Sequence, residues 1–178
     1  MIKKDVNISC KESKYMQKYS SKNTSINTIS KIYKNYDFKE NSIILDYGCG
    51  KYDTSINFMK NKNCIVLPYD KYNRDNETNL KTLDYCKNHN VDYIVCSNVL
   101  NVIMEDEVIF QILDDLYKIA NKNTIILISI YEGDKSGIGK ETTKGYQKNM
   151  KLKEYLKYLN KFDVSIKNQI FICKRKTP

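Results

Sequence analysis

Four short apolar runs, Ile43-Ile44-Leu45, Cys64-Ile65-Val66-Leu67, Tyr93-Ile94-Val95-Cys96 and Thr124 to Ile130, recur along the chain with segments of other character between them. Runs of this length without polar alternation predict strands buried on both faces, a situation typical of parallel sheets covered by crossover helices. Two of the intervening segments have helical spacing. Thr54 to Lys60, capped by Asp53 or Thr54, places Ile56 and Met59 inward, and Glu105 to Asn121 places Val108, Ile109, Ile112, Leu113, Leu116, Ile119 and Ala120 on one face. Ahead of the first strand, Ile26, Ile29, Ile32, Tyr33 and Tyr36 predict an amphipathic helix from Thr24 to near Asp37. A weaker element around Leu80 to Cys86 takes the place of a third strand. The tail differs. After a helix carrying Leu152, Tyr155, Leu156 and Leu159, the runs Asp163 to Ile166 and Ile170 to Cys173 are separated only by Lys167-Asn168-Gln169, too short for a crossover, so they predict an antiparallel hairpin. The expected architecture is a doubly wound α/β sheet of seven strands, mostly parallel, with that hairpin at its carboxyl-terminal end.

The length of 178 residues suits one domain. Residues 1–22 are polar and Lys-rich, with Tyr15 and Tyr19 as their only large apolar anchors, and are expected to form a flexible basic arm ahead of a single domain over 23–178. The net charge of +9 would favour a polyanionic partner if gathered on one face. Yet Lys outnumbers Arg 28 to 2, and a single Ala stands against 22 Ile and 20 Asn, the pattern of an A/T-rich coding sequence. Part of the excess is therefore attributed to codon usage, and a surface with so little Arg lacks the planar forks of specific base readout. Six cysteines without a CxxC pair, beside the single histidine His89, support neither a zinc site nor a disulfide scaffold. No apolar run approaches the roughly 18 residues needed to span a bilayer, so a soluble, reducing, cytoplasmic setting without a membrane partner is expected.

The chemistry concentrates in Leu45-Asp46-Tyr47-Gly48-Cys49-Gly50. Two glycines at the carboxyl end of a first parallel strand let the backbone turn tightly and approach a ligand in the crevice of a doubly wound sheet. Asp46 bears on which ligand. In a dinucleotide turn a carboxylate would repel the pyrophosphate, whereas a ligand carrying cationic sulfonium and ammonium groups gains from it. Pro68-Tyr69-Asp70 closes the second strand with an acid 20 residues past Gly50, the spacing at which a carboxylate reaches ribose hydroxyls.

These residues resemble the first and second motifs of class I S-adenosylmethionine-dependent methyltransferases, whose first motif has the form [DE]-x-G-x-G. The resemblance implies a Rossmann-like fold and S-adenosylmethionine as cofactor. It implies that Asp46, Tyr47, Gly48, Cys49, Gly50, Asp70, Lys71 and Asn98 line the cofactor site, and that Asp84 or Asn88, after a third strand, contacts the adenine. Lys51 and Tyr52 depart from the family, standing where a third small residue is common. The phrase Cys96-Ser97-Asn98-Val99-Leu100-Asn101-Val102-Ile103, with Leu45 to Lys51, is most similar to methyltransferases associated with DNA phosphorothioation and to small phage-type relatives. The likeness covers about residues 20–135.

Two DNA chemistries are absent in recognisable form. Asn98-Val99-Leu100 lacks the prolines and aromatic with which amino-methyltransferases grip a flipped base, and Cys96 lies inside a strand, where a thiol stays protonated rather than acting as a nucleophile. Residues 131–149 hold four of the six glycines and are expected to form a flexible loop over the substrate side, with Asn101, Tyr131, Tyr146 and Gln147 facing the acceptor. The expected activity is methyl transfer to an unidentified acceptor, with DNA or RNA one candidate class. Two rivals stand beside it: a protein that binds the cofactor without methylating, and a basic nucleic-acid-binding module with a vestigial pocket. No metal is expected.

Overall fold

The computed structural model describes residues 26–143 and 145–176; the basic arm expected over 1–22 lies outside the described residues. Strands β1 (Ile43–Tyr47), β2 (Ile65–Tyr69), β3 (Tyr93–Ser97) and β4 (Ile125–Ser129) are parallel, and the carboxyl-terminal hairpin joins them antiparallel through its second strand. A second, two-stranded sheet pairs β5 (Lys140–Thr142) with β6 (Gly145–Gln147). The hairpin strands are β7 (Phe162–Lys167) and β8 (Ile170–Arg175), and the main sheet runs β2-β1-β3-β4-β8-β7.

Among the described residues the sheet therefore has six strands, one fewer than the sequence pattern predicted. The missing strand is the third: the segment around Leu80 to Cys86 lies inside helix α3 (Asn76–Asn88). Asp75 caps that helix by accepting the Thr78 N–H at 2.7 Å, and Leu83 and Cys86, three apart, turn one face to the core. Asp84 and Asn88 accordingly stand not at a strand end but in the last turns of α3, where Asn88 donates to the Asp84 carbonyl. That end of α3 leads to the start of β3, at the amino edge of the sheet, so neither residue reaches the carboxyl edge.

Helix α1 (Lys31–Asn35) is shorter than the spacing from Thr24 to Asp37 suggested. Tyr36 is already extended, because it and Phe38 turn edge-on to Tyr93 and to each other at 5.0–5.8 Å, a packing that a continued helix would not allow. Helices α2 (Thr54–Met59) and α4 (Asp106–Ile119) fall where expected. The tail helix is a 3-10 helix over Leu152–Tyr158.

Two apolar layers sandwich the sheet. On one side Ile32 and Tyr33 of α1 and Met59 of α2 pack on Ile44, Val66, Val95 and Leu127. On the other, α3, α4 and the 3-10 helix cover Leu45, Ile94, Cys96, Ile126 and Ile128. Each strand thus buries alternate residues on opposite faces, which is why the runs read as continuously apolar. The crossover from β1 to β2 runs through α2 on the first face, and that from β2 back past β1 to β3 runs through α3 on the second. The winding reverses between β1 and β3, opening a crevice beyond their carboxyl ends, the place where such sheets take ligands. Among the described residues no helix is long and apolar enough to cross a membrane.

Candidate functional site

The turn after β1 is built for close approach. Gly48 and Gly50 both have positive φ, 78° and 72°, and a Cβ on Gly48 would stand 2.3 Å from Val99 Cγ2, in the loop beyond β3. Only glycine satisfies both constraints. The Gly48 and Cys49 amides donate to the Tyr69 carbonyl at 2.7 and 3.2 Å, so the turn is sewn to the end of β2.

Asp70, just past β2, is the hub. Its Oδ2 accepts the Gly50 N–H at 2.9 Å, and its Oδ1 accepts the Tyr72 and Asn73 amides and Asn73 Nδ2 at 2.9–3.0 Å. Asn79 of α3, itself buried, holds the Asp70 backbone on both sides of its Cα, giving Nδ2 to its carbonyl and accepting its N–H on Oδ1. Arg74 completes the link: Nε donates to the Gly50 carbonyl at 2.8 Å, a terminal nitrogen to the Tyr52 carbonyl at 2.8 Å, and the other to Asp53 at 2.7 Å. Sequence reasoning singled out Asp46, Gly48, Gly50 and Asp70, and the structure gathers them at one corner. It missed Arg74 and Asn79.

Asp46 lies beneath the turn, buried, with the Tyr33 and Ser55 side chains facing it from α1 and α2; the Tyr33 hydroxyl stops short of hydrogen-bond geometry. Burial pushes its carboxyl up to about 6, against the pull of Ser55, Tyr33 and the Arg74 guanidinium. Cys49, in the turn, has its thiol pushed up to about 12, mainly by burial and then by Asp46, so it is no nucleophile at neutral pH. Burial drives the Cys96 thiol up further. The Tyr47 ring faces the core against Tyr69, at 4.9 Å between centroids, so what Tyr47 offers the crevice is backbone. Asn98 is exposed at the carboxyl edge in a left-handed conformation, φ 56°, its amide held by the Ser129 carbonyl. Lys71 is exposed, its ammonium 5.6 Å from the centre of the Tyr72 ring, and Lys51 stands likewise 5.1 Å from that of Tyr52.

Of the four residues expected to face an acceptor, three interlock. Asn101, 2% exposed, gives Nδ2 to Gln147 Oε1 at 3.1 Å and accepts the Tyr131 N–H at 3.5 Å, while Gln147 donates to the Tyr131 carbonyl at 3.0 Å. Asn101 thus anchors the second sheet, and Tyr131 stays 62% exposed. Tyr146 is half-buried with its hydroxyl over Gly139. Within the segment expected to be a flexible loop, β5 and β6 pair antiparallel, and further bonds tie the flanking residues down. Asn149, buried, ties its amide to the Ile138 carbonyl, and Leu152 N–H binds Glu132 at 2.6 Å. Beside it, Lys148 and the Tyr158 hydroxyl both donate to Asp106 Oδ1, at 2.6 and 2.7 Å. Among the described residues no group of acidic, cysteine or histidine side chains could hold a metal ion.

No family model matches the chain, and no curated protein matches it in sequence. Solved structures do. A S-adenosylmethionine-dependent methyltransferase of Methanosarcina mazei superposes with a TM-score of 0.58 at 12% identity, covering 83% of this chain and 98% of that one. The O-methyltransferase NcsB1 of neocarzinostatin biosynthesis, solved with S-adenosylhomocysteine and 1,4-dihydroxy-2-naphthoic acid, gives 0.59 at 13%, covering 82% of this chain and 53% of that one. This chain thus spans about half the length of NcsB1. The [4+2]-cyclase SpnF gives 0.50 at 12%, covering 83% and 65%. The chain therefore has the Rossmann-like methyltransferase fold. That one such neighbour is a cyclase leaves the activity to be argued from the site.

Proposed function

We propose that the protein binds S-adenosylmethionine in the crevice between β1 and β3 and transfers its methyl group to an acceptor. The observation that carries this reading is the Gly50 N–H held on Asp70 Oδ2. It couples a turn with two left-handed glycines to an acid closing the neighbouring strand, in a fold whose solved neighbours include S-adenosylmethionine-dependent methyltransferases. The residues suit the ligand. Asp70 Oδ1 already takes three donors, but Oδ2 takes one and keeps a lone pair for a ribose hydroxyl. Asp46, beneath the turn, favours a cationic ligand above it and acts through the loop backbone. Gly48 and Gly50 admit close approach, with Tyr47 and Cys49 contributing backbone, and Lys71 and Asn98 border the crevice.

When bound, S-adenosylmethionine supplies a methyl carbon made electrophilic by its sulfonium. The chain's own task is to align the acceptor and keep water out, and alignment of two reacting groups alone lowers a barrier by roughly 7–11 kcal/mol at best. The raised Cys49 thiol argues against a covalent intermediate at the turn. The Lys51-Tyr52 and Lys71-Tyr72 pairs at the mouth combine a cation with a stacking surface, which favours an acceptor carrying both phosphate and bases, DNA or RNA. The finer likeness to phosphorothioation-associated and phage-type methyltransferases, carried by Leu45 to Lys51 and Cys96 to Ile103, points the same way.

The test is incubation with methyl-labelled S-adenosylmethionine and separate pools of single-stranded DNA, RNA, protein and small phenols. Label in a nucleic-acid pool is expected. Label only in protein or phenols would overturn the acceptor class, and cofactor binding without label in any pool would overturn transfer.

A further inference from the structure

Only two arginines occur in a chain with 28 lysines, so where arginine is present its planar fork is worth inspecting. Both are structural. Arg175 lies with its guanidinium 4.2 Å from the centre of the Tyr117 ring. Arg74 makes three hydrogen bonds of 2.7–2.8 Å to Gly50, Tyr52 and Asp53, with a side chain only 13% exposed. Together with Asp70 it grips one residue's backbone from two directions: the Gly50 N–H goes to Asp70 and the Gly50 carbonyl receives Arg74. Lys51 and Tyr52 occupy the stretch where the resembling family commonly has a third small residue, and the Tyr52 carbonyl is itself one of the arginine's partners.

We propose that Arg74 is a positioning residue for cofactor binding, a clasp reaching from the β2 loop that holds the glycine turn in its binding conformation in place of the tight packing a smaller loop would have. The proposal rests on the reading of this corner as a S-adenosylmethionine site. A lysine cannot replace the arginine, because one ammonium cannot span the Gly50 and Tyr52 carbonyls, the two contacts that hold the turn, in a fixed plane. The guanidinium has a second effect. Asp46 is faced by Tyr33 from α1, Ser55 from α2, Cys49 in the turn, and Asp70 and Arg74 from the β2 side; of these Arg74 is the only cation, and it favours the ionised carboxylate.

The experiment is calorimetric titration of S-adenosylmethionine into the wild-type protein, Arg74→Met, Arg74→Lys and Asp53→Asn between pH 5 and 8, with ligand-free melting as the fold control. Arg74→Met is expected to fold and to bind at least tenfold more weakly. Asp53→Asn, which leaves both carbonyl contacts in place, is expected to stay within about threefold of the wild type. In the wild type, affinity falls as pH drops through about 6, where Asp46 takes up its proton. In Arg74→Met that fall moves to higher pH. Arg74→Lys restores the charge and hence the pH midpoint, but not the affinity. A merely structural role would not separate those two readouts. Should Arg74→Met fail to fold, Arg74→Lys decides: a tenfold loss supports the clasp and unchanged affinity overturns it. If the wild type binds and Arg74→Met binds equally, the clasp is wrong while the site stands. If the wild type itself does not bind, the reading of the site fails first.

Discussion

Replacing Asp46 by asparagine should make the protein more stable and a poorer binder, and the size of the first effect follows from its burial. In the unfolded chain the carboxyl ionises near 3.8; in the folded protein burial raises it to about 6. At about 1.4 kcal/mol per pKa unit, holding the charge in place costs about 3 kcal/mol at neutral pH. The folded state binds the proton more tightly than the unfolded one. The cost is therefore absent below pH 4, grows between about 4 and 6, and is full above 6. An asparagine amide in its place is a neutral near-isostere that carries no such cost. For a chain of this size, with roughly 2–4 °C of melting temperature per kcal/mol, Asp46→Asn should raise Tm by about 6–12 °C at pH 7.5 and by almost nothing at pH 4. Urea unfolding of both proteins across that range reads the difference, and other titrating groups cancel because they are common to both. A destabilised variant at pH 7.5, or a gap that does not change with pH, would refute the reasoning. The accompanying loss of S-adenosylmethionine affinity would mark Asp46 as a group retained for function at the expense of stability.

Two further outcomes follow from the contacts around the crevice. Gly48→Ala sets a methyl 2.3 Å from Val99 Cγ2 in a left-handed backbone, and should lower stability sharply; adding Val99→Ala, which leaves the nearest atom at 3.6 Å, should recover all but the roughly 1–2 kcal/mol of backbone cost, and no recovery would show that the contact is not the constraint. Asn101→Ala strips Gln147 and Tyr131 of their buried partner and should cost about 1–3 kcal/mol, with hydrogen exchange quickening across 131–149; unchanged exchange there would mean the second sheet is held by Lys148 and Asn149 alone.

The strands of the main sheet were legible because parallel strands buried on both faces leave uninterrupted apolar runs, and the hairpin because three residues cannot make a crossover. The third strand was misread for want of weighing a local signal. Asp75 with Thr78 three residues on is a helix cap, and Leu83 with Cys86 has helical, not alternating, spacing. At the site, Asp46, Gly48, Gly50 and Asp70 could be named in advance since their positions at strand ends follow from the sheet itself. Arg74 could not, because it acts across the gap between two connections, and Asn79 could not, because its partners are backbone groups of Asp70 and Arg74 that no neighbouring side chain announces. The scarcity of arginine beside abundant lysine was the one available hint. The second sheet was hidden for a different reason: its glycines and lysines look like open loop, and what ties them down is Asn101, whose partner Gln147 lies far along the chain, and Asn149, which closes the segment on the Ile138 carbonyl within it.

The central claim is that a cationic, ribose-bearing ligand sits against the turn after β1 and the acid after β2. Titration of the isotope-labelled protein with S-adenosylmethionine, followed by backbone amide chemical shifts, locates the ligand directly. Saturable shifts confined to residues 46–53, 70–74 and 97–99 are predicted, reproduced by S-adenosylhomocysteine. Shifts centred elsewhere on the sheet, or none at millimolar ligand, would contradict it.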